Sequence, residues 1–462
     1  MTTPQVTKAD ADLWLAYGIK LKNTFAQTST LGDDNRFYIA PLSSAGIAAG
    51  KNINSAITNH GVYTVGDTLL SLDEPVFLPS RQSYFQRCLS YSLNVELHAN
   101  KNAGAQVRYN TARDNALKAL KYFQDTRTAA IAAYTQEKSA GITTDPFALW
   151  VIQNYPQFAQ AQSANDSATA VAAAASGAMD GPMATIVGKY QASLAAANGT
   201  SAIPGVTMSC SNASADQIAS GQAGTPGAPF ERPSYNLNGQ YSQTVDGWIN
   251  TFSQNSKNPK KITFTAKDAQ SSSWADLGYS NTNVQVTGSY CIFFSATFVE
   301  NNQTVTKNVT AEEAGAELEV TLTATDFQTF TINPGNWNPG QLAGMPIVAN
   351  ADPNLSKPMA FVNQVILAYG VGMEVKLSSS AASSIHNYME KARSTGGSAS
   401  IFGFNIGLGG AANSTQTSTT TFDQVKDASS STGFTIPPSD NAYPTLLGVF
   451  GQSIPLPKNA QK

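Results

Sequence analysis

Apolar residues recur at helical spacing through the first part of this chain and at alternate positions through most of the remainder. Leu13, Trp14, Tyr17, Leu21 and Phe25 fall on one helical face. Thr7 and Asp10 ahead of them have the spacing of a capping box, in which each side chain satisfies the other's backbone N–H, so a first helix is predicted near residues 8–27. Residues 33–100 carry mixed signals, interrupted by Pro41, Pro75 and Pro79, with short stretches such as GVYTV, residues 61–65, reading as strand or extended chain. Between Gly104 and Gly141 there is neither Gly nor Pro, and Tyr109, Ala112, Ala116, Leu120, Phe123, Ile131 and Tyr134 share one side. At about 1.5 Å per residue this predicts a helical rod roughly 50 Å long.

Thr144 or Asp145 can cap a further helix with Pro146 in its first turn, and after Pro156 the pattern runs into the Ala-rich ATAVAAAASGAM. Met183, Ile186, Val187, Tyr190, Leu194 and Ala197 form another stripe. Ala-rich faces let helices approach closely, so residues 1–198 read as a mainly helical domain built as an elongated bundle. Residues 199–233, rich in Gly, Pro and Ser, read as a linker or long loop.

Beyond it the hydrophobic period changes from 3.6 to 2. Ile262, Phe264 and Ala266 alternate with polar residues, as do Val284, Val286, Tyr290, Ile292, Phe294 and Phe298, and then Leu318, Val320 and Leu322. Half-buried antiparallel strands follow, and residues 234–462 are predicted to be β-rich and sandwich-like. In FVNQVILAYGVGMEVKL every odd position from Val365 to Leu377 is apolar, which reads as one long strand. Ile385, Tyr388, Met389 and Ala392 then mark a short amphipathic helix. In SASIFGFNIGLGG, Phe402, Phe404, Ile406 and Leu408 alternate with Gly403, Asn405, Gly407 and Gly409, which reads as a single strand with one apolar face. The fold class is α+β: a helical bundle followed by an antiparallel sheet domain. No period of 20–50 residues repeats, which excludes solenoids and propellers.

Composition changes the picture chiefly through charge. Only 13% of the 462 residues are charged and the formal net charge is −3. There is no basic field for phosphate backbones, so nucleic acid is excluded as a partner, and copies of the chain repel one another weakly. Cys88, Cys210 and Cys291 are far apart and odd in number, which indicates neither a disulfide framework nor a zinc site. No usual signal peptide and no membrane-spanning helix is seen, so the chain is expected to be soluble, cytoplasmic or released without a usual signal.

The chemistry-bearing residues assemble no recognisable catalytic, metal or cofactor motif. His60, His98 and His386 have no metal-ligand spacing. Gly407, Gly409 and Ala412 satisfy G-x-G-x-x-A, but the following NSTQTSTTT is a poor helix former, so no dinucleotide site is expected. Glu317 and Glu319, part of an acidic group with Glu312 and Glu313, read as edge protection on a strand. Trp248, Trp274 and Trp337 are the residues that can stack on sugar rings.

A non-enzymatic function is expected. A helical bundle joined to a β domain resembles the layout of pore-forming toxins, in organisation only. That resemblance implies an oligomer acting on a lipid membrane, with Phe402, Phe404, Ile406 and Leu408 as the membrane or self-association surface, since a strand crosses a bilayer in about 9–11 residues. The alternative is a self-assembling structural or storage protein, forming crystals or filaments, in which few charges need desolvation at each contact. A carbohydrate-binding β-sandwich is the third reading.

Overall fold

The computed structural model describes residues 6–25, 34–42, 46–77, 82–96, 103–139, 147–176, 207–211, 230–237, 239–254, 258–280, 291–335, 346–407, 421–427, 432–438 and 444–457, with positions 213, 217, 218, 286, 337 and 338. It is a mixed α+β fold with antiparallel sheets. The stripe Met183–Ala197, and with it Val284, Tyr290 and Leu408, lies outside the described residues.

Helix α1 (Lys8–Phe25) begins at the expected capping box: Thr7 N–H and Oγ1–H donate to Asp10 Oδ2 at 3.1 and 2.6 Å, and Asp10 N–H donates to Thr7 Oγ1 at 3.2 Å. The helix buries Leu13, Trp14, Leu15, Ala16, Tyr17 and Leu21, more than one face of a surface helix supplies. It is an internal element. Strand β1 (Asn35–Ile39) follows, then helix α2 (Ser55–Gly66), strand β2 (Leu69–Ser71) and helix α3 (Tyr84–Asn94); the GVYTV stretch expected to be extended is helical, its Val62 and Val65 both buried on α2. Side chains of Asn54 and Ser83 cap α2 and α3.

Helix α4 (Ala103–Ser139) is the predicted rod, 37 residues and roughly 55 Å long at about 1.5 Å per residue. Helices α5 (Phe147–Asn154) and α6 (Pro156–Ser176) pack against it. Ala112 and Ala116 meet Ala172, and further along Ala130 meets Trp150 and Val151. The small side chains bring the helix axes close, as the sequence pattern requires.

Within the stretch expected to be a linker, β3 (Thr207–Cys210) pairs with β4 (Phe230–Pro233). Then come β5 (Tyr235–Leu237), α7 (Tyr241–Ser253), β6 (Lys260–Phe264), β7 (Phe294–Glu300) and β8 (Gln303–Val309). A helical turn, α8 (Ala311–Ala314), precedes β9 (Glu319–Ala324), β10 (Asp326–Pro334), β11 (Met359–Tyr369) and β12 (Gly372–Lys376). The chain continues through α9 (Ser379–Ser394), β13 (Ser398–Ile401), β14 (Phe404–Ile406), β15 (Lys426–Asp427), β16 (Gly433–Ile436) and β17 (Thr445–Ser453).

The expected single strand from Phe361 to Leu377 is two strands in different sheets. One sheet runs β1-β17-β11-β10-β5, with β2 also on β11, and the other runs β15-β16-β12-β9-β6. β9 and β10 pass between the same two sheets, bending at Thr325, whose N–H donates to Tyr369 O at 2.8 Å. Opposite it, Gly370 takes φ +61°; an added Cβ there would meet Thr325 Oγ1 at 2.6 Å and the Phe252 ring at 2.7 Å, so only Gly permits the bend. Alternation alone misses this corner because it changes the strand's direction without changing which side chains are buried.

The helical and sheet parts do not separate at residues 199–233. β1 pairs with β17 near the C-terminal end, Asn35 opposite Gln452, and α1, β1 and α3 share one core with the strands of the second half. No described helix is long and apolar enough to cross a membrane.

Candidate functional site

Phe402, Phe404 and Ile406, the expected contact surface, lie inside one copy of the chain. The predicted strand is a hairpin: β13 and β14 pair antiparallel, Ile401 opposite Phe404, and Phe402 and Gly403 form the two-residue turn with φ +47° and +73°. Positive φ at both turn positions gives the type I′ geometry whose twist suits a tight hairpin. Phe402 is fully buried, stacked on Trp14 with ring centroids 4.4 Å apart, and also touches Tyr17 and Phe264. Its N–H donates to Phe293 O at 2.6 Å. Phe404 and Ile406 are buried as well. With four and three residues, these strands fall short of the roughly nine needed to cross a bilayer. The expectation that these side chains form a lipid or self-association surface is corrected: they fill a core.

Other sequence candidates are also absorbed by structure. Trp337 is buried and donates Nε1–H to Ser234 O at 2.6 Å, while Trp248 packs on Phe330; Trp274 is half-buried. Glu313 caps α8 through Thr310. Glu319 pairs with Lys376 on the neighbouring strand, and β9 lies between β12 and β6, so it is no edge. None of the three cysteines is disulfide-bonded, and burial pushes the Cys291 thiol up to about 12. His386 is exposed on α9.

Two features stand out once these are set aside. The first is the edge of the sheet ordered β14-β13-β7-β8. β7 and β8 are joined by Asn301 and Asn302, with φ +51° and +60°, again a type I′ turn, for which Asn is favoured. In such a hairpin the pair flanking the turn, Glu300 and Gln303, exchanges backbone hydrogen bonds, and bonded pairs then recur at every second position. Gln303, Val305, Lys307 and Val309 therefore direct their N–H and C=O groups at β7. Thr304, Thr306 and Asn308 direct theirs away from it, to an edge on which no described strand pairs. The 3.2 Å contact of Thr306 Oγ1 with Thr297 Oγ1 fits a closely spaced non-bonded pair. At seven residues β8 is the longest strand at a sheet end among the described residues; β1 and β6 have five, and β5, β14 and β15 three or fewer. β6, which also ends a sheet, carries two exposed lysines, Lys260 and Lys261, against one, Lys307, on β8, and such charges blunt an edge.

The second is a polar cluster where α2 ends. Asp67 caps α2, and its buried Oδ1 accepts from Tyr235 O–H at 2.6 Å and Phe85 N–H at 2.8 Å. Tyr63 and Ser83 hydroxyls also donate to it. Burial raises the Asp67 pKa and these donors oppose the rise. Burial likewise pushes Tyr63 and Tyr235 well above the ordinary phenol range, so both stay neutral donors. Arg232 on β4 stands over the Tyr63 ring, Cζ 5.7 Å from its centroid. Arg127 on α4 lies within electrostatic reach of Tyr63, Arg232 and Asp67. His60, one turn before Tyr63, is held down to about 4 by burial and by the Arg232 charge.

No family model, curated protein or solved structure matches this chain. Both features were missed in the sequence reading. The Glu-Asn-Asn-Gln turn between two alternating segments was the available signal for β8. For the polar cluster, residues 60, 63, 67, 127, 232 and 235 come from three distant stretches, and no spacing rule brings them together.

Proposed function

We propose that this is a non-enzymatic, self-assembling structural or storage protein whose copies join edge to edge through β8. The observation that carries the proposal is the edge at Thr304, Thr306 and Asn308, on which no described strand pairs. Its outward backbone groups are of the kind that a second strand satisfies. The segment is self-complementary: antiparallel pairing centred on Thr306 sets Thr304 against Asn308 of a second copy and Lys307 against Val305, so no like charges stand directly opposite. The low charge of the chain leaves little electrostatic resistance to such a contact. On this reading the two larger sheets form a sandwich-like body and the helices of residues 103–176 a bundle beside it.

The test is sedimentation over a wide concentration series, comparing the natural chain with Thr306→Pro. Pro removes an outward N–H and no bond to β7, so the variant keeps the monomer fold. Association of the natural chain that the variant loses is the expected result. A chain that stays monomeric at the highest attainable concentration, or a variant that associates equally, sinks the proposal.

A further inference from the structure

Helix α6 meets α4 along a seam in which Phe158, Ala161, Asn165, Ala168, Ala172 and Ala175 are buried or half-buried and recur at intervals of three and four. Gln160, Ser163, Ser167 and Val171, on the other side of α6, are exposed. This is the spacing of a two-helix contact. The two ends of the seam differ in strength. At its start Phe158 packs on Phe123 of α4, ring centroids 5.4 Å apart. Beyond Asn165 the apolar seam residues are all alanine, and they meet Ala112 and Ala116. Each alanine withdraws little apolar surface from water, so this half of the contact closes with a small driving force.

Asn165 stands between the two halves. Its side chain is fully buried, and neither Oδ1 nor Nδ2 has a hydrogen-bond partner. Among the described residues no other side chain has two buried polar atoms in that condition. Withdrawing an amide from water without compensation costs free energy, and separation of α6 from α4 removes that cost by letting water reach Asn165. α4 itself is held on its far side, where Tyr109 and Leu120 join the large core. Among the described residues α6 adds to that core only the half-buried Ala175, at its rim.

We propose that α6 from Asn165 to its end is a strap that opens reversibly from α4, with the contact of Phe158 and Phe123 as its fixed end and the Asn165 amide as the group that sets the balance. Opening uncovers the Ala112 and Ala116 face of α4. A short helix without a packing partner is marginal in water, so the open strap also frees its backbone amides. The strap is independent of β8 and of self-assembly.

Hydrogen–deuterium exchange of the whole protein, read by mass spectrometry on peptides covering 166–176 and 362–368, tests this. Amides of the strap are expected to exchange about a hundredfold or more faster than those of β11, as local opening requires. Asn165→Leu places an apolar group of similar size in the seam and should slow exchange of the strap about tenfold or more, leaving β11 unchanged. If Asn165→Leu does not fold, Asn165→Ala, which removes the same two polar atoms, decides by the same criterion. A strap as protected as β11 overturns the proposal, and so does a variant whose strap exchanges as fast as that of the natural chain.

Discussion

The carboxylate of Asp10 accepts a hydrogen bond from the backbone N–H of Ala311 at 2.8 Å, across 301 residues of sequence. The same oxygen accepts from Phe293 N–H at 3.1 Å, and the other oxygen caps α1 through Thr7. One fully buried side chain thus closes the start of α1, the first turn of α8 and the entry to β7.

Replacing Asp10 is therefore expected to cost far more than losing one helix cap. A cap alone is worth about 1 kcal/mol, but Asp10→Ala also leaves two buried N–H groups without an acceptor, for a total of about 3–4 kcal/mol. Asp10→Asn keeps one oxygen and turns an amide N–H₂ toward a Thr7 donor; about 2–3 kcal/mol is expected. Urea denaturation monitored by tryptophan fluorescence gives both values. A loss near 1 kcal/mol for Asp10→Ala would mean the long-range bonds contribute nothing.

The turn at Phe402 sets two effects against each other. A bulky residue at positive φ is strained by about 1–2 kcal/mol, whereas Asn before Gly is favoured at that position. Phe402→Asn thus recovers backbone energy while losing a ring buried on Trp14, a loss of about 3–5 kcal/mol for a large aromatic. Phe404 has no such strain to relieve. Phe404→Asn is expected to destabilise the protein by about 1 kcal/mol more than Phe402→Asn, and equal or reversed losses would show that the turn strain is not what the backbone angles imply.

His60 predicts a dependence on acid. Unfolded, its imidazole takes up a proton near the ordinary value of 6.5; folded, it resists protonation down to about 4. Within that window the unfolded chain binds more protons, so stability falls as pH drops, by about 3 kcal/mol in all. His60→Gln removes this contribution. Denaturation of both proteins at several pH values between 4 and 7.5 should show a shallower slope for the variant, and parallel slopes would remove His60 as a cause.

The elements most legible in the sequence were those whose periodicity coincides with one continuous buried face. α1 with its cap, α4, the helix carrying Ile385 and Met389, and the alternation of β9 all follow from local pattern. The hairpin at Phe402 was misread for a definable reason. Its buried residues are Ala399 and Ile401 before the turn and Phe404 and Ile406 after it, so the alternation changes phase between Ile401 and Phe402. That phase change is the turn, and Gly403 marks it; a reading anchored only on Phe402, Phe404 and Ile406 passes over it. The pairing of β1 with β17 depends on tertiary closure and leaves no local trace.

Placing the final long strand beside β1 and β11 sets a condition on biosynthesis. Arg36 donates to Ser453 Oγ at 2.6 Å, 417 residues downstream. At about 5–20 residues per second, a ribosome needs roughly 20–80 s to make that stretch. Throughout this interval β1 lacks the strand it pairs with along its whole length, although Ile39 already bridges Val76, and its apolar side chains stay exposed to aggregation. A chain ending before β17 leaves the facing edges of β1 and β11 without the strand that joins them.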